Sequence, residues 1–150
     1  MRAEKYIKHF FIFLALCLLV GCQNQPATPR AVDPTIVHRD DAQAIYAAFQ
    51  DHRSNFFVES KGQVVKILPD DIKGSPHQRF VLKLPQGQTV LIAHNIDLAS
   101  RVDHLALGDE IYFSGEYEWS REGGVIHKTH HDPRYRRDGG WLEHKGVRYQ

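Results

Sequence analysis

Residues 108–130 read GDEIYFSGEYEWSREGGVIHKTH. Gly108-Asp109 is a turn pair that opens a pattern of period two. Ile111, Phe113, Tyr117 and Trp119 fall on one side, and Gly115 interrupts the series. Alternation of this kind sets one face of a strand against a core. Gly123-Gly124 supplies a tight hairpin, and Val125–His130 returns as the next strand. A hairpin alone cannot bury its apolar face, so further strands must pack with it.

They lie upstream. Phe57–Leu68 reads as a strand with Gly62 at a bulge or bend. Pro69-Asp70-Asp71 and Gly74-Ser75-Pro76 mark a loop. His77–Leu84 places Phe80, Leu82 and Leu84 on one face. Pro85-Gln86-Gly87 turns the chain into Gln88–His94, where Val90 and Ile92 oppose Leu91 and Ala93. Asp97 is placed to cap a short helix with Leu98, Val102 and Leu105 on one face. Ahead of all this, Ala42, Ile45, Ala48, Phe49, His52 and Phe56 recur at helical spacing, which predicts a helix over 41–54.

Three strands, a short helix and two strands are the element order of an OB-fold. That fold is a five-stranded Greek-key barrel, here with its short helix between strands three and four and an additional N-terminal helix. Phe80, Leu82, Ile92, Ile111 and Phe113 are expected in its core, and Gly62 and Gly115 at bends or close approaches.

The first 39 residues belong to no strand. Arg2, Lys5 and Lys8 precede an apolar run from Phe10 to Val20, eleven residues long. That is too short to span a bilayer and suits the apolar region of a secretory signal. It closes on Leu19-Val20-Gly21-Cys22, which resembles the lipobox of bacterial lipoproteins. The resemblance implies cleavage before Cys22, acylation of Cys22, and a cell-envelope location. Gln23 after the cysteine favours the outer membrane, facing the periplasm. The expected organisation is a signal peptide over 1–21, a Pro-rich tether over 22–39 and one domain over 40–150. The mature chain would then hold no free thiol and no disulfide, because Cys17 is discarded and Cys22 carries lipid. Its stability must come from a hydrophobic core.

Removal of 1–21 takes Arg2, Lys5, Lys8 and Glu4, leaving 16 of the 19 Lys/Arg and 17 of the 18 Asp/Glu. A general polycation is thereby excluded. Charge is uneven, however: Ser120–Gln150 holds seven Lys/Arg, four Asp/Glu and four His. An anion-binding surface is expected there.

The same segment carries two motifs, Gly124-Val125-Ile126-His127-x-Thr129-His130-His131-Asp132-Pro133-Arg134 and Gly139-Gly140-Trp141-x-x-His144-x-Gly146-x-x-Tyr149-Gln150. With His94-Asn95-x-Asp97, they resemble a family of small bacterial secreted or lipid-anchored proteins classed as a domain of unknown function. The resemblance spans about residues 46–150. It implies that the His-rich tail matters, and it brings no activity or cofactor.

Three chemistries fit these residues. In the first, His94, His127, His130, His131, Asp132, Arg134, Trp141 and His144 form a binding surface for a nucleic acid or glycan, with Tyr135 and Trp141 as exposed stacking rings. In the second, His127 or His131 acts as general base beside Arg134 as anion clamp, giving a phosphodiesterase or nuclease. A divalent metal, held among His94, His127, His131, Asp132 and His144, is the associated cofactor possibility, although no H-x-H, HE-x-x-H or C-x-x-C spacing occurs. In the third, the chain is a structural lipoprotein that contacts another envelope protein. The first is the leading expectation: a binding module for a polyanionic or polar polymer. His127, His131, Asp132, Arg134, Trp141 and His144 are expected to converge on one partly exposed site, with His94 near its rim.

Overall fold

The computed structural model describes residues 27–136 and 139–150. The expected signal peptide, Cys22 and the start of the tether lie outside the described residues. The elements are β1 (Arg30–Ala31), α1 (Ala42–Gln50), β2 (Phe56–Asp71), β3 (His77–Lys83), β4 (Thr89–Asn95), β5 (Glu110–Glu118), β6 (Val125–His127), β7 (Trp141–His144) and β8 (Val147–Tyr149).

Strands β2, β3 and β4 form an antiparallel meander. β5 returns to lie beside β2, and β6 closes the ring by pairing antiparallel with β5 and parallel with β4. A fourth strand that crosses back beside the first is the Greek-key step, and the five-membered ring is an OB-like barrel. The long strand β2 makes closure possible. Its first half pairs with β5 and its second half with β3. Gly62 sits at the handover, where a Cβ would lie 2.9 Å from the Lys83 carbonyl and 3.0 Å from Leu82 Cβ. Gly115 marks a second division. On the edge of β5 away from β2, residues 111–114 pair with β7 and residues 116–118 pair with β6. A Cβ at Gly115 would meet the His127 carbonyl at 2.6 Å.

Phe80, Leu82, Ile92, Ile111 and Phe113 are fully buried, together with Tyr117, Ile126 and Leu142. Burying each large apolar side chain contributes about 1.5–3 kcal/mol. Ile45 and Ala48 of α1 pack on this cluster, which lies wholly within residues 45–149. Residues 22–150 therefore contain every member of this cluster among the described residues.

Several expectations need local revision. The barrel ring has five strands, but β7, β8 and β1 extend the sheet to eight. The expected short helix after Asp97 is a series of turns. Its backbone groups are used elsewhere. The Gln78 side chain bonds both N–H and C=O of Val102, the Ser100 carbonyl accepts from His94, and Ala99 bridges to Ala27. The N-terminal helix stops at Gln50 because His52 and Asn55 adopt left-handed angles. β2 runs on through Pro69, with register shifts on either side of 66–68. β6 ends at His127 because Lys128 is left-handed at φ 53°.

The described part of the expected tether lies along the barrel. β1 pairs with β8, the Val32 N–H donates to the Gly146 carbonyl, and Ser100 bonds Ala27 through both its N–H and its hydroxyl. His38 packs on the outer sheet face between Tyr112 and Trp141.

Candidate functional site

The His-rich segment is tied to the barrel end by buried hydrogen bonds. His94, at the end of β4, is fully buried. Its Nε2 faces the Ser100 carbonyl at 3.1 Å and its Nδ1 faces Thr129 Oγ1 at 2.8 Å. A carbonyl can only accept, so Nε2 carries the proton and the Thr129 hydroxyl donates to Nδ1. Burial first, and then the nearby His130 charge, push the His94 pKa down to about 4, against the opposing bond to Ser100. His94 is thus a neutral structural clamp at neutral pH.

Beyond Thr129 the chain bends outward. His130 Nδ1 donates to the His131 carbonyl at 2.6 Å. Asp132 then organises the next four residues. Its carboxylate accepts from the backbone N–H of Arg134 at 3.2 Å and of Arg136 at 2.8 Å, while its carbonyl accepts from the Tyr135 N–H. Pro133 fixes one backbone angle of this turn. The result is a knuckle that presents Arg134, Tyr135 and Arg136 to solvent, with Tyr135 90% exposed.

The knuckle borders a groove of about 510 Å³ lined by Leu98, Lys128, His130, Asp132, Pro133, Arg134 and Arg136. Lys128 Nζ lies 2.5 Å from Glu116, so its charge is partly neutralised. Arg134 and Arg136 have no ion pair among the described residues. This groove is the candidate site, and its net character is cationic.

The expected residues are distributed as follows. His130, Asp132 and Arg134 line the groove. His94 stands behind it, joined through Thr129. His131, half-buried, contributes its carbonyl to the His130 bond. His127 lies near Glu116 at 3.5 Å and Glu118 at 3.7 Å on β5. His144 is buried in β7, with Nε2 2.8 Å from Asp109 Oδ2. Asp109 also accepts from the Ala106 N–H; that bond foremost, and then His144, hold its carboxyl down to about 2. His144 and Asp109 thus pin β7 to the turn before β5.

Trp141 is the clear correction. It is not an exposed ring outside the strands but a β7 residue only 8% exposed. The Arg148 guanidinium lies 4.1 Å from its ring centre and the His38 ring 5.2 Å away. His127, Trp141 and His144 therefore do not join the knuckle. No three His, Cys, Asp or Glu side chains are grouped to hold a metal among the described residues.

Sequence reasoning missed Lys128 as a groove residue and His38 altogether. Lys128 read as a strand position, and only its left-handed turn takes it out of that pattern. His38 fell in a segment without periodicity. A second assembly surrounds it: its Nε2 lies 3.2 Å from Glu143 and its Nδ1 3.5 Å from Glu59.

A family model described as Protein of unknown function (DUF3465) matches residues 29–150. The chain belongs to that family. No curated protein matches it.

Proposed function

We propose that this member of the DUF3465 family is a lipid-anchored envelope module that binds a polyanionic polymer in the groove beside Arg134 and Arg136. The observation that carries the reading is the knuckle itself. Asp132 spends carboxylate oxygens on backbone N–H groups, and the two arginines it positions project beside an exposed tyrosine, without ion pairs among the described residues. Guanidinium groups match phosphate or sulfate oxygens in a bidentate fork. An exposed ring next to them offers a stacking surface for bases or sugars. The anchor rests on the signal-like sequence and on Cys22. No helix among the described residues is long and apolar enough to cross a membrane.

The test is fluorescence anisotropy with a labelled single-stranded oligonucleotide and, separately, a sulfated glycan. The two arginines predict a salt slope of about −1.4 for a single strand, which is about a sevenfold loss of affinity between 50 and 200 mM salt. Arg134→Ala and Arg136→Ala should each weaken binding while leaving the melting temperature nearly unchanged, since exposed substitutions cost roughly half a kcal/mol or less. No binding of either polymer at low salt, or unchanged binding in the double variant, overturns the reading.

A further inference from the structure

Two arginines face each other at the barrel's extended edge. Arg30 of β1 and Arg148 of β8 are direct cross-strand partners. Like charges in that position repel. Both line a notch of about 240 Å³ with Ala31, Val32, Asp33 and Ile36. The Asp33 carboxylate also lines the notch but makes no ion pair with either arginine among the described residues, and its Oδ1 accepts from the Thr35 N–H and hydroxyl. Arg30 has no ion pair among the described residues, and residues 22–26 contain no acid. Arg148 has two partners: its guanidinium carbon lies 4.1 Å from the Trp141 ring centre and its Nη2 3.3 Å from Glu143. Its Nε is buried and lacks a hydrogen-bond partner among the described residues. Next to the notch, Ile36 is 45% and Val37 94% exposed.

We propose that this edge is a membrane contact, in which the phosphate of an anionic lipid headgroup seats between Arg30 and Arg148 while Ile36 and Val37 enter the apolar margin of the bilayer. An oxyanion there would place a counter-charge between Arg30 and Arg148. Cations beside exposed apolar side chains are the composition of an interfacial surface. Arg30 also lies eight positions from Cys22. Even fully extended, that segment reaches only about 28 Å. The inference rests on the lipid-anchor reading for its geometry, and it turns the arm from a passive spacer into an orienting contact.

The experiment uses residues 22–150 with Cys22→Ser, which retains the core and carries no acyl chain. Co-sedimentation is measured with phosphatidylglycerol vesicles and with phosphatidylcholine vesicles. Preferential binding to phosphatidylglycerol is expected, with an about fivefold loss of partition in Arg30→Gln, a further loss in Val37→Asp, and no change in Lys83→Gln, an exposed cation on β3 away from both the notch and the groove. Equal partition of Arg30→Gln and the parent, or an equal loss in Lys83→Gln, overturns the proposal. Binding of inorganic phosphate at Arg30 without vesicle partition also overturns it and assigns the notch to free phosphate. Because lipid on Cys22 is absent throughout, failure here leaves the anchor reading intact; lipid labelling of the wild-type chain tests that separately.

Discussion

Acidification should destabilise this barrel through His94 in particular. In the folded chain its pKa is about 4, against 6.5 for an exposed histidine. The unfolded chain therefore binds one more proton between those values, and stability falls as pH falls through that window. The contribution is fully present above pH 6.5 and is lost by about pH 4. At about 1.4 kcal/mol per unit, the loss is about 3 kcal/mol, against a total of about 5–15 kcal/mol for a domain of this size. The cause is chiefly desolvation. The Nε2 bond to Ser100 exists in both protonation states, and the Thr129 hydroxyl can turn from donor to acceptor when Nδ1 is protonated. What remains is the cost of a charge in the core, raised by the neighbouring His130. His94→Gln retains an amide donor for Ser100 and an acceptor for Thr129 but cannot titrate. It should cost about 1–2 kcal/mol at pH 7. Denaturant unfolding of both proteins from pH 4 to 7 isolates the group, because carboxylates such as Asp109 cancel in the difference. The wild-type advantage should shrink with falling pH, reverse between about pH 6 and 5, and leave the variant the more stable protein at pH 4. A difference that stays flat across the window would falsify the assignment of His94 as a buried neutral clamp.

Two further outcomes follow from the close approaches and from the anchor. Gly140→Ala places a methyl group against the carbonyls of Lys128 and Ser114; it should cost more than about 2 kcal/mol, read as a lowered denaturant midpoint, and a shift below half of that would mean the crossing is loose. Cys22→Ser should abolish metabolic lipid labelling and release the protein from the outer-membrane fraction, and an unlabelled wild-type chain would reject the lipoprotein expectation.

The barrel was legible because its evidence is local. Alternation at Ile111 and Phe113, or at Phe80 and Leu82, follows directly from which face of a strand meets the core. Gly62 and Gly115 stood out because each breaks such a pattern. What could not be read is where backbone groups are diverted. Leu98, Val102 and Leu105 do have helical spacing, yet Gln78, from another strand, takes the hydrogen bonds of Val102. Likewise the arm over 27–39 has no periodicity because it follows the barrel's outline through isolated pairings. Its anchoring residue, His38, meets Tyr112, Trp141, Glu59 and Glu143 only once β2, β5 and β7 are side by side.

The same distinction explains why a chemically dense tail yields so compact a candidate site. On the edge of β5 away from β2, pairing divides at Gly115, and β7 must enter just where β6 leaves. That crossing needs glycine at 140 and leaves polar backbone to be satisfied around Thr129. His94 holds the crossing through the Thr129 hydroxyl, while His144 pins the far end of β7 to Asp109. Histidine suits such positions because one neutral ring donates at one nitrogen and accepts at the other. Density of histidine in this sequence therefore marks the closure of the barrel first. Only past Thr129, where Asp132 folds the chain back on its own N–H groups, do side chains face outward with charge to offer. Loss of Asp132 should consequently weaken ligand binding by dispersing Arg134 and Arg136, although its own carboxylate is directed at the backbone and repels anions. An Asp132→Asn variant, which keeps an acceptor but removes the negative charge, separates the two effects: binding should be retained or strengthened in Asn and lost in Ala.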